Sequence, residues 1–185
     1  MRGALPAVLL VVLLGGCGVP VDDRPRPVSA PPGSFPAATG TATTDPDGRV
    51  DETLCFVRGD GLAAVTRRVD GVSSVDTHLQ HLLAGPDDGE RERGLSSALP
   101  GTITVAGAST TGAVVTVDVR EAGEEAGRSD EVLAFGQIVC TLTQRADVDS
   151  VGFRRDGQPL EVPRADGSLS ALPLTAADYR PLLRR

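Results

Sequence analysis

The 185-residue chain has no tryptophan, one tyrosine and four phenylalanines, so the aromatic cages and stacking platforms that many binding sites use are not available to it. Lysine is also missing, and every one of the 18 basic residues is arginine. The background is rich in Ala, Gly, Val, Pro and Asp, which points to a GC-rich genome as the cause and removes the arginine count as a functional signal. Against 25 acidic residues the net charge is −7, which excludes nucleic acid and anionic lipid headgroups as attracted partners. No Walker loop, Gly-x-Ser-x-Gly elbow, His-Glu-x-x-His or Cys-x-x-Cys occurs, so the common nucleotide, hydrolase, metalloprotease and redox signatures are absent. The single long apolar run, Leu5–Leu14, is too short to span a bilayer and suits the core of a signal peptide.

That run ends in Leu14-Gly15-Gly16-Cys17. Small residues before a cysteine resemble the lipobox of bacterial lipoproteins, in which the Cys17 thiol takes a diacylglycerol and becomes the first residue of the mature chain. The bland alternative is a plain secretory leader with an incidental cysteine. Two acyl chains give stable anchoring where one does not, so the expectation is a protein tethered to the outer face of the plasma membrane. Residues 18–50 contain seven prolines among Ser, Thr, Ala and Gly, a composition that buries too little surface to order itself. In extended form it holds a domain up to roughly 100 Å from its anchor. The expected organisation is a signal peptide over 1–16, the lipidated cysteine and linker over 17–50, one domain over 51–165, and a C-terminal extension over 166–185.

Within the domain, Thr53–Arg58 and Leu62–Val69 read as strands of a hairpin turned at Gly59-Asp60-Gly61. Ser73 or Ser74 caps a helix whose Val75, Leu79, Leu82 and Leu83 form one stripe, and Gly85-Pro86 stops it. A charged turn then leads to Leu95, Ala98 and Leu99. Strands are predicted at Thr102–Val105 and Val114–Val119 with a turn over 106–112, then a charged loop from Glu121 to Arg128. Ser129 caps a second helix so broadly apolar from Val132 to Leu142 that it must lie deep. Asp147–Arg155 supplies a strand, Leu160–Val162 an edge strand demoted by Pro159 and Pro163, and Thr175–Tyr179 a short capped turn or helix. Leu172, Leu174, Tyr179 and Leu182 are available to lie on the domain.

Few residues point to chemistry. His78 and His81 stand three apart on the first helix with no third ligand nearby, and read as surface flankers rather than a metal site. Ser96-Ser97 has no base marked near it and reads as a capped turn. The charged residues Asp87, Asp88, Glu90, Arg91, Glu92 and Arg93 read as solvated surface that doubles as a candidate contact face. Paired carboxylates acting on wall glycan are discounted because sugar clefts usually offer aromatic platforms. Cys55 and Cys140 remain after lipidation. They form either a bridge, as export favours, or two buried thiols acting as small apolar residues, and both readings stand at this point.

The order strand, strand, helix, Leu82-Leu83-Ala84-Gly85-Pro86, the Glu90–Pro100 stretch with Gly94, Leu95, Ser97, Ala98, Leu99 and Pro100, then Val117-Asp118, resembles the GerMN domain. So do the run Ala134-Phe135-Gly136-Gln137-Ile138-Val139 with Thr141-Leu142-Thr143, and Val151-Gly152-Phe153 leading to Asp156-Gly157. The resemblance implies a compact α+β module of sporulation and germination proteins and of actinobacterial envelope lipoproteins, similar to the ring-building modules of envelope secretion machines. The predicted fold is α+β: a single GerMN-like domain with about two main helices packed on a mixed or antiparallel sheet, in the order ββαββαβ plus an edge strand. In this frame Gly85, Pro86, Gly94, Leu95 and Pro100 are architectural. The family implies a non-enzymatic interaction or assembly module with no cofactor, no metal and no catalytic residues, held at the membrane by its lipid. Its expected partners are envelope proteins, including further copies of itself. Neither a second GerMN copy nor a C-terminal propeller is visible, so sporulation and kinase signalling both stay open as settings. A glycan-binding module or cell-wall hydrolase is the alternative from another class.

Overall fold

The computed structural model describes residues 48–121 and 128–184. The leader, Cys17, nearly all of the proline-rich linker and most of the charged loop before the second long helix lie outside the described residues.

Strands β1 (Arg49–Arg58) and β2 (Gly61–Asp70) pair antiparallel. Gly59 takes a positive φ of 60° at the turn, which a residue without Cβ adopts freely. Both strands run further than their apolar residues suggest, because Asp51 lies opposite Arg68 and Glu52 opposite Arg67. Opposite charges facing each other across a ladder support pairing where β-propensity is poor. Helix α1 (Val75–Leu83) follows, with the Ser74 side chain accepting from the Thr77 amide as N-cap. Its Leu79 and Leu82 are buried, while Leu83, predicted in the same stripe, is exposed, and the short helix α2 (Asp88–Glu92) comes next.

Strands β3 (Ile103–Thr111) and β4 (Val114–Glu121) make the second hairpin. The turn expected over 106–112 is therefore mostly strand. Thr and Ser at 109–111 continue the ladder after a register shift between Val105 and Gly107, and this bulge absorbs the small residues that read as a turn. On β4, Val115, Val117 and Val119 are buried while Thr116 and Asp118 between them are not, the period-two pattern of a half-buried strand. Helix α3 (Arg128–Leu142) begins one residue before the predicted cap at Ser129. All nine residues from Ala134 to Leu142 are buried, as a helix apolar around most of its circumference requires. It packs against β1, β2, α1 and strand β5 (Ser150–Arg155), and Phe135 meets Phe153 of β5 edge to face at 4.9 Å between centroids.

The predicted edge strand at Leu160–Val162 divides in two. Gln158–Pro159 (β6) pairs with β5, whereas Val162–Pro163 (β7) pairs with Leu169–Ser170 (β8) in a separate ribbon. The prolines that demote this piece also break it, since each removes a ladder donor. A 3-10 helix over Ala176–Leu182 is started by Asp178, whose carboxylate accepts from the amide of Thr175 at 2.8 Å and from its hydroxyl at 3.0 Å. The last strand, β9 (Leu183–Arg184), lies parallel beside the start of β2. Leu174 and Tyr179 are fully buried, Leu182 is partly buried, and Leu172 is exposed.

The architecture is thus α+β, with two mixed sheets of order β1-β2-β9 and β3-β4-β5-β6 and the ribbon β7-β8, rather than one sheet. An apolar core of Leu54, Phe56, Val117, Ile138, Phe153 and Tyr179 joins the two sheets.

Candidate functional site

The connection from α1 to β3 is where the sequence concentrates its signals, and its geometry follows from a few side chains. Gly85 ends α1 at φ 80°, its amide donating to the Leu82 carbonyl. Pro86 is buried. The charged turn expected next is a one-turn helix, α2 (Asp88–Glu92), started by a capping box: Asp87 accepts from the Glu90 amide at 2.8 Å and Glu90 accepts from the Asp87 amide at 2.9 Å. Gly94, at φ 79°, lets the chain return. Leu95 and Leu99 are buried, and Pro100 is exposed.

Glu90 departs from its expected role as solvated charge. It is only 3% exposed, and Arg67 of β2 grips it in a fork, Nε to Oε1 at 3.0 Å and Nη2 to Oε2 at 2.5 Å. Arg67 Nη2 also donates to the Gly85 carbonyl at 2.9 Å, and the guanidinium carbon stands 5.3 Å from the Phe56 ring centroid. Arg67 therefore fastens both ends of the Gly85–Glu90 reversal to the first sheet. The pairing holds the Glu90 carboxyl below its ordinary range and raises the guanidinium, each partner being the main cause of the other's shift. Bidentate contact of this kind is the strong form of an ion pair. Asp87, Asp88, Glu92 and Arg93 remain exposed, as does Arg91, which donates to Asp88 and to the Pro86 carbonyl.

The neighbouring cross-strand residue, Glu52, is also buried and accepts from His81 Nδ1 at 2.6 Å. Burial works to raise its carboxyl, but hydrogen bonds with Ser73 and His81 outweigh that and leave it lowered. His78 is not a surface flanker. It is 3% exposed, and its Nε2 donates to the Thr53 carbonyl at 2.9 Å. Burial holds its imidazole below the ordinary value. The two histidines thus serve different partners, and among the described residues no group of three or more His, Cys, Asp or Glu converges to hold a metal.

The outer edge of β1 is sealed from three places, by the backbone at Ser96 and by side chains of α3 and α1. Ser96 exchanges backbone hydrogen bonds with Val57 at 2.8 and 2.9 Å, so this serine is a bridge residue, while Ser97 Oγ accepts from the Leu99 amide at 3.3 Å as the cap of the turn. Thr141 Oγ1 accepts from the Cys55 amide at 2.9 Å, and Gln137 Nε2 donates to the Cys55 carbonyl at 3.2 Å while its Oε1 accepts from the Ala98 amide at 2.6 Å. His78 takes the Thr53 carbonyl. Beside this seal Cys55 and Cys140 are joined in a disulfide with their Cα atoms 5.9 Å apart. The sequence marks Gln137 and Thr141 only as part of the run that carries the resemblance, with no role of their own. Their signal is two polar residues at i, i+4 on an otherwise buried helix, a pattern that demands partners.

The Arg67–Glu90 fork, the Gln137 and Thr141 bonds and the His78 and His81 contacts tie this connection to its neighbours, while among the described residues Glu52 Oε1 and His78 Nδ1 are buried without a hydrogen-bond partner. Residues 45–161 match the model of the Germane family, described as sporulation and spore germination. The chain belongs to this family. The Germane fold agrees with the tandem GerMN domains of the sporulation protein GerM from Bacillus subtilis, with a TM-score of 0.54 and 18% identity over 76% of this chain and 50% of that one. It also agrees with the first GerMN domain of that protein alone, with a TM-score of 0.51 and 22% identity over 69% of this chain and 98% of that one. The chain thus spans half the length of the tandem structure and nearly all of the single domain. No curated protein matches it significantly. Germane domains are non-catalytic modules.

Proposed function

We propose that this chain is an extracytoplasmic lipoprotein, anchored through Cys17, whose Germane domain binds protein partners in the cell envelope in a sporulation-like, germination-like or signalling setting. The observation that carries the interaction role is the family match over 45–161. Leu14-Gly15-Gly16-Cys17 supports the anchor. The Cys55–Cys140 bridge supports an oxidising compartment, where disulfides persist. The connection fits a module that presents surface rather than chemistry, because Glu52, Glu90, His78 and His81 bond within the fold while Asp87, Asp88 and Glu92 lie on its surface. Replacing Cys17 by Ser is expected to move the protein from the membrane fraction to the soluble one. Continued co-sedimentation of Cys17→Ser with membranes would rule out the lipid anchor.

A further inference from the structure

We propose that the outer edge of β3 pairs with the same edge of a second copy of this chain, continuing the four-stranded sheet across a two-fold axis. This rests on the interaction-module reading and names its surface and its partner.

The other long sheet edges are closed or guarded. That of β1 is sealed by Ser96, Gln137, Thr141 and His78. That of β5 is covered by β6, by Leu160 donating to the Phe153 carbonyl, and by Leu174, which exchanges two 2.8 Å bonds with Val151. The edge of β2 is paired by β9 at Leu62 and Ala63, and beyond them carries Arg67, Arg68 and Asp70. Charged residues on an edge are the usual guard against strand addition. Strand β3 is the exception. It is terminal in its sheet, and although α1 packs against it, among the described residues the one backbone hydrogen bond it makes outside its hairpin is from the Ile103 amide to the Leu99 carbonyl. It contains neither charge nor proline, and no charged residue occurs anywhere from Gly94 to Val117. Its one irregularity, the shift between Val105 and Gly107, leaves Gly107–Thr111 as a continuous segment.

Charge and side-chain size select the occupant. Two copies of a chain with net charge −7 repel at long range, and this uncharged stretch is where they approach with least opposition. The middle of β3, Ala106-Gly107-Ala108-Ser109, offers no pockets for reading a foreign strand's side chains, which is how added strands are normally selected. Antiparallel self-pairing about a two-fold needs no such pockets, because the surface is self-complementary: where residue i meets residue j, j also meets i. With the axis at Ser109, Ala108 faces Thr110 and Gly107 faces Thr111, leaving small and hydroxyl side chains opposite one another.

The test uses the full-length chain in its native membrane with Ser109→Cys introduced. Residues facing each other across antiparallel strands stand about 4.5–5.5 Å apart at Cα, within the span of a disulfide. Mild oxidation is expected to give a crosslinked dimer of this chain. Val72→Cys, exposed but off β3, is expected to give at least tenfold less. Adding Thr110→Lys, a charge on an exposed position of the same edge, should reduce the Ser109→Cys dimer by a similar factor. An unchanged thermal midpoint for the Lys variant shows that the domain still folds. Three results overturn the proposal: no dimer through position 109 in the folded chain, equal dimer through position 72, or a dimer indifferent to Thr110→Lys. Crosslinking through position 109 to a different protein likewise overturns it, and leaves the interaction-module reading standing.

Discussion

A Cβ placed on Gly136 of α3 would lie 2.9 Å from Cδ1 of Tyr179 and 3.0 Å from Cδ1 of Leu62. The Tyr179 ring is fully buried, and its hydroxyl donates to the Pro163 carbonyl at 2.7 Å, so the ring is held at both ends. Alanine gains up to about 1 kcal/mol over glycine inside a helix, whereas forced overpacking of a core costs about 1–3 kcal/mol. With contacts this close the second effect wins. Gly136→Ala is expected to destabilise the domain by about 1–2 kcal/mol in equilibrium denaturation, and a stability gain would contradict the packing described. Tyr179→Phe leaves the Pro163 carbonyl without its donor and should cost about 1–2 kcal/mol.

Arg67 and Glu90 make the second prediction. Removing one partner of a buried pair strands the other, at about 3–5 kcal/mol, while replacing both costs far less. Arg67→Met should therefore destabilise by about 3 kcal/mol, and Arg67→Met with Glu90→Gln should recover at least half of that. A double-mutant cycle showing additivity would mean that the fork contributes nothing as a pair.

Much of this connection was legible in the sequence. Gly85-Pro86 marks the helix end, Gly94 the return, and Leu95 and Leu99 the anchors, because each acts through its own backbone or apolar character. Glu90 was misread since its partner, Arg67, lies 23 residues away on another strand, and a carboxylate in a run of charges carries no sign of burial. Even so, Asp87-x-x-Glu90 is a capping-box pattern, and read as one it points to α2. His78 escaped for the same reason: one helical position separates it from Leu79, and only its bond to Thr53 shows that it faces inward. The deep burial of α3, by contrast, follows from its composition alone.

Acid should weaken the domain in two stages. Burial lowers His78 below its ordinary 6.5, aided by Arg145 and His81 and opposed by the Thr53 carbonyl and Glu52. Below that pH the unfolded chain takes up a proton that the folded one resists, so stability falls as pH drops. Glu52 and Glu90 are lowered from 4.5; what they contribute is in place above that value and is lost as pH falls through their folded values. Denaturation midpoints should decline from about pH 7 to about pH 5. His78→Gln, which keeps a donor for Thr53, should flatten that interval and spare the steeper acid limb. A wild-type midpoint that is level across the interval would contradict the burial of a neutral imidazole.

The Cys55–Cys140 bridge ties the middle of β1 to α3 across 85 residues of sequence. Loss of a native disulfide typically costs about 2–5 kcal/mol, and reduction should lower the denaturation midpoint accordingly. In the unfolded, unreduced chain neither cysteine should react with an alkylating reagent. Two alkylated residues at 55 and 140 would contradict the bridge.

The central claim is that the domain works by binding protein outside the membrane. Crosslinking in intact cells followed by affinity capture of the full chain under denaturing conditions tests it most directly. The account predicts discrete protein adducts mapping to the Germane domain, and recovery of cell-wall glycan fragments with no protein adduct would contradict it.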